Sequence, residues 1–362
     1  MNVLILAELV TKSGVGMYIK HLTNKLVEYG DNVHILTYKR DIEVNEEITV
    51  HMVNKGWKYF PENYKAFEKI IKDHQIDVVY IQHRIVGVYP LLYNFIKKRV
   101  PVVYILHTAK LEQNSLAKRM LTDTGDLSVA ISSECEKCLI DSLGVKPDKI
   151  RKIYNGVDNK SLYPLSEKER LELMAQWGIR SDDIVICMHG RIDPVKGHDV
   201  LLAALLKLSD DLRKKVNVVV SGDTNNSYYR EIKEEVDRNG MTDMFSFVGW
   251  VDPRSILGVA NLLVAPSRRE GFPLFAIEAF FMKVPVIRTR TGGYEDMKDY
   301  CVGTDVDNAD QIKDAIESFL LDNKVYDSMV ENAYEWANKC CTIDVMARAT
   351  RDVFNEVLHE HM

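Results

Sequence analysis

The sequence predicts an α/β protein that contains two doubly wound domains, each built on a parallel sheet. A chain of 362 residues is long enough for two domains of ordinary size. Short apolar, β-branched segments alternate with amphipathic ones, a pattern typical of parallel strands covered by helices on both faces. The alternation breaks into turn residues at Asn155-Gly156-Val157-Asp158 and then starts again. We therefore predict a first domain at 1–158 and a second at 159–343.

The individual elements follow from this alternation. In the first domain the predicted strands are Val3–Ala7, Val33–Thr37, Val78–Gln82, Val102–His107, Leu127–Ile131 and Lys149–Tyr154, and the predicted helices are Gly16–Tyr29, Phe67–His74 and Pro90–Lys98. In the second, the strands are Ile184–His189, Val216–Ser221, Met244–Val248, Leu262–Ala265 and Val284–Arg288, and the helices are Ser166–Trp177, Asp199–Leu208, Tyr229–Asn239 and Ala276–Met282. A last helical segment, 344–362, either completes the second domain or crosses back to the first.

Composition and charge exclude several classes of protein. Apolar residues make up 46% of the chain and charged residues 28%, which argues against disorder and coiled coil. Residues 1–158 carry 22 Lys and Arg against 19 Asp and Glu, whereas the rest carries 25 against 34. Because no dense basic stripe with interleaved aromatic residues occurs, we expect no nucleic-acid partner.

The sequence also predicts a cytoplasmic protein without a metal centre. Glu8 and Lys12 interrupt any signal-peptide core, and the apolar run Val100–Leu106 is far too short to span a membrane. Six cysteines do not form a disulfide framework, which fits a reducing compartment. The single pair Cys135 and Cys138 has no second pair at metal-ligand spacing, and no HExxH motif occurs. We expect neither a cofactor nor a metal ion.

Two features of the first domain are candidates for ligand contact. In an open parallel sheet, ligands bind beyond the carboxyl ends of the strands. The turn containing Gly14 and Gly16 follows the first strand and precedes a helix, so its backbone N–H groups can approach an anion, although such a turn often serves packing alone. His107 ends a strand, where its imidazole can hydrogen-bond a substrate hydroxyl or phosphate oxygen; the alternative is a satisfied core histidine.

The second domain carries loops suited to a diphosphate. Arg191 and Lys196 share the loop Gly190–Gly197 after a strand, where a guanidinium fork and an ammonium point charge can hold a diphosphate; otherwise they are two solvated cations. Gly222 and Trp250 follow two further strands and can line a nucleotide pocket.

The segment from Glu270 to Glu278 is the most informative in the chain. Glu270 lies in a loop and Glu278 on the following helix, so the two carboxylates can address different parts of one ligand. The backbone N–H groups of Phe272 and Leu274, on either side of Pro273, and those of the helix start would face an anion. The alternative, two surface glutamates, fits poorly with the apolar neighbours of Glu278.

Taken together, these motifs resemble retaining glycosyltransferases of the large family 4 group, which have the GT-B fold of two Rossmann-like domains facing a cleft. The resemblance spans both halves of the chain and includes Asn155–Asp158 and Gly292-Gly293. It implies that Arg191 and Lys196 bind the donor diphosphate and that Glu278 accepts hydrogen bonds from the ribose. Glu270, with the backbone of Gly271, Phe272, Pro273 and Leu274, would contact the donor sugar and distal phosphate.

The resemblance also implies roles for the first domain and a mechanism. His107 would hydrogen-bond the transferring sugar, and Gly14–Gly16 would approach the phosphates and the acceptor. In the family's usual description the acceptor attacks on the face that the diphosphate leaves, so no residue is assigned as nucleophile. The chain departs from the family pattern at Arg268-Arg269, which either alter substrate preference or are solvated, and at Met282-Lys283, where a glycine is usual.

The predicted activity is therefore transfer of a sugar, from a UDP-sugar or next a GDP-sugar, to a glycan, lipid-linked or protein acceptor in surface polysaccharide or glycoconjugate synthesis. A nucleotide-sugar 2-epimerase of the same architecture and a catalytically silent binding subunit are the alternatives. The basic and aromatic segment Lys55–His74, with Lys97-Lys98-Arg99, suits peripheral contact with the inner face of a membrane, or else consists of helices packed on the sheet.

Overall fold

The computed structural model describes residues 1–97, 99–109 and 122–361. The chain divides into two units: unit 1 is Met1–Val157 with Cys340–Met362, and unit 2 is Asp158–Lys339. Both are parallel sheets with helices, so the predicted α/β class is confirmed. Within the described residues, none of the helices combines the length and the apolar content that crossing a membrane requires.

Unit 1 is organised around a parallel sheet in the order β5-β3-β1-β6-β7-β8-β9. Its strands are β1 Asn2–Leu6, β3 Asn32–Thr37, β5 Thr49–Met52, β6 Val78–Ile81, β7 Val102–Leu106, β8 Leu127–Ala130 and β9 Ile150–Lys152, with a separate pair β2 Leu9–Val10 and β4 Lys39–Arg40. The central strands are buried throughout, which explains their continuous apolar sequence. Strand β5 was not predicted because it is a short edge strand without a clear apolar pattern.

The helices of unit 1 are α1 Gly14–Glu28, α2 Phe60–Asp73, α3 Val88–Ile96, α4 Ser133–Leu143 and α14 Ile343–His361. Helix α2 begins seven residues before the predicted start, because Pro61 is accepted in a first helical turn. Helix α14 packs against α1 and buries Phe354, and its Arg351 binds the buried Asp31 at 2.7 Å. The C-terminal segment thus completes unit 1.

Unit 2 has a parallel sheet in the order β12-β11-β10-β13-β14-β15. Its strands are β10 Ile184–His189, β11 Val216–Ser221, β12 Phe245–Gly249, β13 Leu262–Ala265, β14 Val286–Thr289 and β15 Val302–Thr304. Its helices are α5 Glu167–Gln176, α6 His198–Leu206, α7 Asp210–Arg213, α8 Ser227–Arg238, α9 Pro253–Val259, α10 Leu274–Phe281, α11 Tyr294–Met297, α12 Ala309–Leu321 and α13 Asp327–Cys340.

The boundaries in unit 2 follow from local chemistry. Helix α5 begins after Ser166, which forms a reciprocal capping box with Glu169. Strand β14 begins after Pro285, which has no amide hydrogen to donate to a sheet. The apolar side chains of β10, β11 and α6 share one buried cluster, so the loops after β10 and β13 are held on a rigid base.

Candidate functional site

The loop after β10 has a defined conformation because its own residues brace it. The Asp193 carboxylate accepts a hydrogen bond from the Val195 amide at 3.0 Å and begins the single turn Pro194–Lys196. Gly197 then takes a φ of 75°, and a Cβ there would lie 2.2 Å from the Pro266 carbonyl oxygen. Only glycine allows this approach, which joins the loop to the segment after β13.

The structure brings Lys196 and Glu270 into direct contact. The Lys196 Nζ lies 2.8 Å from the Glu270 Oε1, and the two side chains are only 16% and 11% exposed. The ammonium also lies 4.9 Å from the centre of the Phe275 ring. Since the two residues are 74 positions apart, this contact is made by the tertiary fold, and it positions both charges at the carboxyl ends of β10 and β13.

Arg191 lies on the same loop but extends into solvent. Its side chain is 63% exposed, and its Nη1 lies 3.0 Å from the Asp193 Oδ2. This loop therefore presents one poorly exposed cation, Lys196, and one exposed cation, Arg191, whose guanidinium can bind an anion. Both line a narrow pocket together with His189, His198 and Ser267.

The segment from Glu270 to Leu274 leads into the N-terminus of α10. Pro273 is the residue before the helix, and it provides no side-chain hydrogen bond to the first turn. The amides at the start of α10 therefore have no side-chain cap among the described residues, which suits an anionic ligand. The carbonyl oxygen of Glu270 would be 2.3 Å from a Cβ at Gly292, so the Gly292-Gly293 turn supports this segment from behind.

Glu278, on α10, has an unusual titration. Its side chain keeps some solvent exposure, but desolvation by the surrounding protein raises its pKa to about 7. Among the described residues, the Glu278 carboxylate takes no part in the hydrogen bond between Lys196 and Glu270. At neutral pH the group is therefore about half ionised and able to accept or to donate a hydrogen bond.

Gly222 and Trp250 lie at the same edge of the sheet. A Cβ at Gly222 would lie 2.2 Å from the Gly190 carbonyl oxygen, so this glycine is required by the packing of two loops. Trp250 is 54% exposed, and its indole meets the His189 ring edge to face with centroids 6.5 Å apart. Trp250 is thus available as an aromatic surface beside the pocket.

Two histidines of this pocket were missed by the sequence analysis. His189 and His198 each have a buried Nδ1 without a hydrogen-bond partner among the described residues. Burial, with the charge of Lys196, lowers the pKa of His189 to about 4, and burial lowers that of His198 to about 4. Both are neutral at pH 7. His189 ends a strand as His107 does, so the same reasoning would have found it.

In unit 1, the two predicted glycines differ in their surroundings. The Gly16 amide donates to the Ser13 hydroxyl at 3.2 Å, and a Cβ at Gly16 would lie 1.9 Å from the Thr11 carbonyl oxygen. The space beside Gly14 is open. Local packing therefore explains the requirement for glycine at position 16, and the capping by Ser13 explains why α1 begins two residues before the predicted start.

His107 lies at the end of β7 in a buried polar group. Its Nε2 is 3.0 Å from the Gln82 Oε1, and its ring meets Tyr18 edge to face with centroids 5.0 Å apart. This contact joins the His107 ring to the side-chain amide of Gln82. Burial, with the nearby His83, lowers the pKa of His107 to about 3, so the ring is neutral at pH 7. Gln82 and Tyr18 were not predicted.

The basic and aromatic segment of unit 1 is divided between core and surface. Phe67 is fully buried, whereas Trp57 is 75% exposed and Phe95, on α3, is 89% exposed. Lys98, part of the predicted basic run, lies outside the described residues. Phe67 therefore packs in the core, as the alternative interpretation of this segment predicts, whereas the aromatic side chains of Trp57 and Phe95 are exposed to solvent.

Two family comparisons cover most of the chain. The family described as "Glycosyltransferase Family 4" matches residues 12–161, and the family described as "Glycosyl transferases group 1" matches residues 169–336. The chain therefore belongs to the family 4 group of glycosyltransferases. The predicted resemblance is confirmed on both halves of the sequence, and the loops described above lie within the matched segments.

Individual relatives of this glycosyltransferase are distant. A D-inositol 3-phosphate glycosyltransferase of Saccharomonospora viridis is 29% identical over 54% of this chain and only 50% of its own length. An uncharacterised 41.2 kDa protein in the cps region of Klebsiella pneumoniae is 26% identical over 79% of this chain and 80% of its own length. The crystal structure of Anabaena Alr3699/HepE in complex with UDP matches with a TM-score of 0.84 and 18% identity, covering 98% of this chain and 100% of the other. This likeness identifies the GT-B fold.

The glycosyltransferase departs from its family at Arg268, and the structure gives a reason. Arg268 binds the Asp199 and Asp307 carboxylates, each at 2.6 Å, and the Pro194 carbonyl oxygen. It thereby links the Lys196 loop to the Glu270 segment and to a third loop. Arg268 is thus neither a free cation nor simply solvated, whereas Arg269 is exposed.

Proposed function

We propose that this glycosyltransferase transfers a sugar from a nucleoside-diphosphate sugar with retention of anomeric configuration. The observation that carries the proposal is the Lys196–Glu270 contact of 2.8 Å at the carboxyl ends of β10 and β13. Lys196 shares its loop with Arg191, whose guanidinium is exposed, and Glu270 leads into α10, whose first turn has no side-chain cap from Pro273. This combination suits a ligand that joins a diphosphate to a polyhydroxyl group.

The charges act on the leaving group. When the anomeric C–O bond breaks, negative charge accumulates on the departing diphosphate and the sugar becomes oxocarbenium-like. Lys196 and Arg191 stabilise the diphosphate, and the amides of Phe272, Leu274 and the start of α10 add oriented dipoles. Glu270 accepts hydrogen bonds from sugar hydroxyls while Lys196 keeps its carboxylate in place. The low exposure of the pair means that the charges need little reorganisation during the reaction.

The nucleoside is held by groups farther along the same edge. Glu278, when ionised, accepts hydrogen bonds from two ribose hydroxyls, and the exposed indole of Trp250 offers a face to the base. His189 and His198 supply buried nitrogens close to the phosphates. Uracil is the favoured base and guanine the next, and the UDP bound by the HepE neighbour agrees with this choice.

Retention follows from attack on the face that the diphosphate leaves, with a departing phosphate oxygen taking the proton of the acceptor. His107 is neutral at pH 7, so it positions a sugar hydroxyl by hydrogen bonding and does not supply a proton to the leaving group. Together with Gly14 and Gly16, it completes the residues assigned to unit 1. The reaction needs no metal ion, because cations and amides stabilise the diphosphate.

For the acceptor we propose a glycan, a lipid-linked glycan or a protein, in surface polysaccharide or glycoconjugate synthesis in the cytoplasm. The relative from a cps region supports the polysaccharide acceptor, whereas another relative is named for D-inositol 3-phosphate. Peripheral membrane contact would use Trp57 and Phe95. Reduced sedimentation of a Trp57→Ser, Phe95→Ser variant with anionic vesicles tests that contact, and unchanged sedimentation would contradict it.

The donor site is tested by thermal shift with UDP, GDP, ADP and their sugar conjugates, with and without EDTA. A nucleotide that binds the folded state raises the melting temperature by mass action. We expect stabilisation by uridine nucleotides that EDTA does not change, and its loss in Lys196→Met. Lys207→Met removes a lysine of the same unit from an exposed ion pair with Asp310 and serves as the matched control.

The reaction itself is tested by following a UDP-sugar by proton NMR, with water or a panel of acceptors. Release of the α-anomer from an α-linked donor supports retention, and first appearance of the β-anomer would refute it. Conversion to an epimeric nucleotide sugar would instead identify a 2-epimerase. Binding of UDP without any turnover would identify a silent binding subunit.

A further inference from the structure

Three histidines of unit 1 lie close together. His34 lies in β3, His51 lies in the neighbouring edge strand β5, and His74 is the residue that ends α2. Residue 34 is opposite Thr49, and Leu36 is opposite His51, so alternation of side chains places His34 and His51 on one face of the sheet. His74 precedes β6, which places the cluster toward the amino ends of the strands, opposite the edge where ligands of such sheets bind.

The nitrogen atoms of these rings have the spacing of metal ligands. The His34 Nδ1 lies 3.2 Å from the His51 Nε2, and one nitrogen from each of the three rings lies within 4.8 Å of the other two. Ligands bound at about 2.0–2.1 Å in a tetrahedral zinc site are about 3.3 Å from one another. Two nitrogens thus already have this separation, and the third lies within 4.8 Å of both. In the described part of the chain this is the one group of three or more His, Cys, Asp or Glu with such spacing.

The surroundings favour a cation. His34 and His74 line a cavity of about 350 Å³, together with the carboxylates of Asp31, Glu47 and Asp73, and no Lys or Arg side chain lines it. Asp31 is already paired with the chain amino terminus and with an arginine, which leaves Glu47 and Asp73 as the excess negative charge. The C-terminus of α2, with the partial negative charge of its last carbonyl groups, also ends at this cavity.

Two of the three imidazoles, those of His34 and His51, are also in the neutral form that binds metal. Burial lowers the pKa of His34 to about 4, and burial lowers that of His51 as well. When a metal ion replaces the hydrogen bond between His34 Nδ1 and His51 Nε2, the bridging proton can move to the other nitrogen of its own ring, so a neutral imidazole binds without a net loss of a proton. Imidazole nitrogen suits zinc, copper, nickel and cobalt, whereas magnesium and calcium prefer oxygen ligands.

We propose that His34, His51 and His74 bind one divalent transition-metal ion, Zn²⁺ where it is available, with a water molecule as the fourth ligand. The ion connects the edge strand β5 to its neighbour β3, with which it already pairs, and joins both strands to the end of α2. Its role is to stabilise unit 1, since the cluster joins three elements of that unit at the amino ends of its strands. The proposal is independent of the proposed function.

The test is a competition titration of Zn²⁺ between tag-free protein and a chromophoric chelator. We expect one equivalent of Zn²⁺ to bind, and the affinity to fall by about tenfold or more in His51→Gln and in His74→Gln, since each loses a ligand. His359→Gln, on the exposed end of α14, is the matched control and should bind like the wild type. His34 is left intact because its ring is buried.

A second measurement needs no variant. Carbethoxylation mapped by mass spectrometry should show His51 and His74 protected by Zn²⁺, with His359 modified equally with and without the ion. Binding of equal affinity in the wild type, His51→Gln and His74→Gln would overturn the proposal, as would the absence of a stoichiometric site. Unchanged carbethoxylation of His51 and His74 in the presence of Zn²⁺ would do the same.

Discussion

Replacing Glu278 by Gln is expected to stabilise the free glycosyltransferase at alkaline pH and to weaken its binding of the nucleoside. The pKa of Glu278 is raised from 4.5 to about 7 by desolvation. A difference of about 2.5 units at about 1.36 kcal/mol each is about 3.4 kcal/mol, and the partial exposure of the side chain reduces this to about 2–3 kcal/mol. Glutamine has the same shape but carries no charge to desolvate.

The sign follows from linkage. Because the folded-state pKa lies above the unfolded one, the stability associated with the protonated carboxyl is fully present below pH 4.5 and is lost as the pH rises through about 7. The stability of Glu278→Gln relative to the wild type should therefore increase by about 2–3 kcal/mol between pH 4.5 and pH 8. Urea denaturation followed by tryptophan fluorescence measures this, since Trp177, Trp250 and Trp336 lie in unit 2.

The affinity of the wild type for a nucleoside should rise with pH, whereas its stability falls. Because the ionised carboxylate accepts the ribose hydrogen bonds and its pKa is about 7, wild-type affinity for uridine should be about tenfold weaker at pH 6 than at pH 8. Glu278→Gln should bind uridine weakly at both pH values. Uridine is used because it has no phosphate that titrates in this range. Glu172→Gln, an exposed glutamate on α5, is the control. A stability difference that does not change with pH, or an affinity that falls as the pH rises, would refute the reasoning.

Three further substitutions test the loops of unit 2. Lys196→Met should lower the transfer rate by about tenfold to a hundredfold, and it should also lower stability because the poorly exposed Glu270 carboxylate loses its partner. Adding Glu270→Gln to Lys196→Met should recover part of that stability, since no unpaired carboxylate then remains. Equal unfolding free energies for the single and double variants would argue against this. Arg268→Ala should lower the free energy of unfolding, measured by urea denaturation, by about 1–3 kcal/mol, since the contacts with Asp199, Asp307 and Pro194 are lost. A change below about 0.5 kcal/mol would contradict that role. Lys283 has a φ of 54°, so Lys283→Gly in a Glu331→Gln background should raise stability by about 1 kcal/mol, and a lower melting temperature would show that the backbone is not strained.

Much of this fold was predictable because parallel strands are buried on both faces. Strands such as Ile184–His189 and Val216–Ser221 are mostly apolar, and their predicted bounds agree with the structure. The helix starts were less accurate, because Ser13 and Pro61 act through hydrogen bonds and a fixed φ that apolar periodicity does not record. Lys283 shows a related limit: a residue other than glycine occupies the left-handed position after α10.

The candidate site was predictable where its residues share a loop, and less so where they meet through the fold. Arg191 and Lys196 follow one strand, so their proximity can be read from the sequence. The contact between Lys196 and Glu270 joins two distant loops, and only the family resemblance suggested that they act together. The buried nitrogens of His189 and His198 and the grouping of His34 with His51 depend on tertiary packing, which no short motif encodes.

The return of α14 to unit 1 determines the order in which the chain can become folded during synthesis. Unit 2 is continuous in sequence, so all of its strands and helices are available before the last helix is made. Unit 1 lacks the partner of α1 until then, and the surface that later covers Phe354 stays open to water or to chaperones. Unit 2 is therefore expected to mature first on the ribosome, and the N-terminal unit, although synthesised earlier, to be completed last.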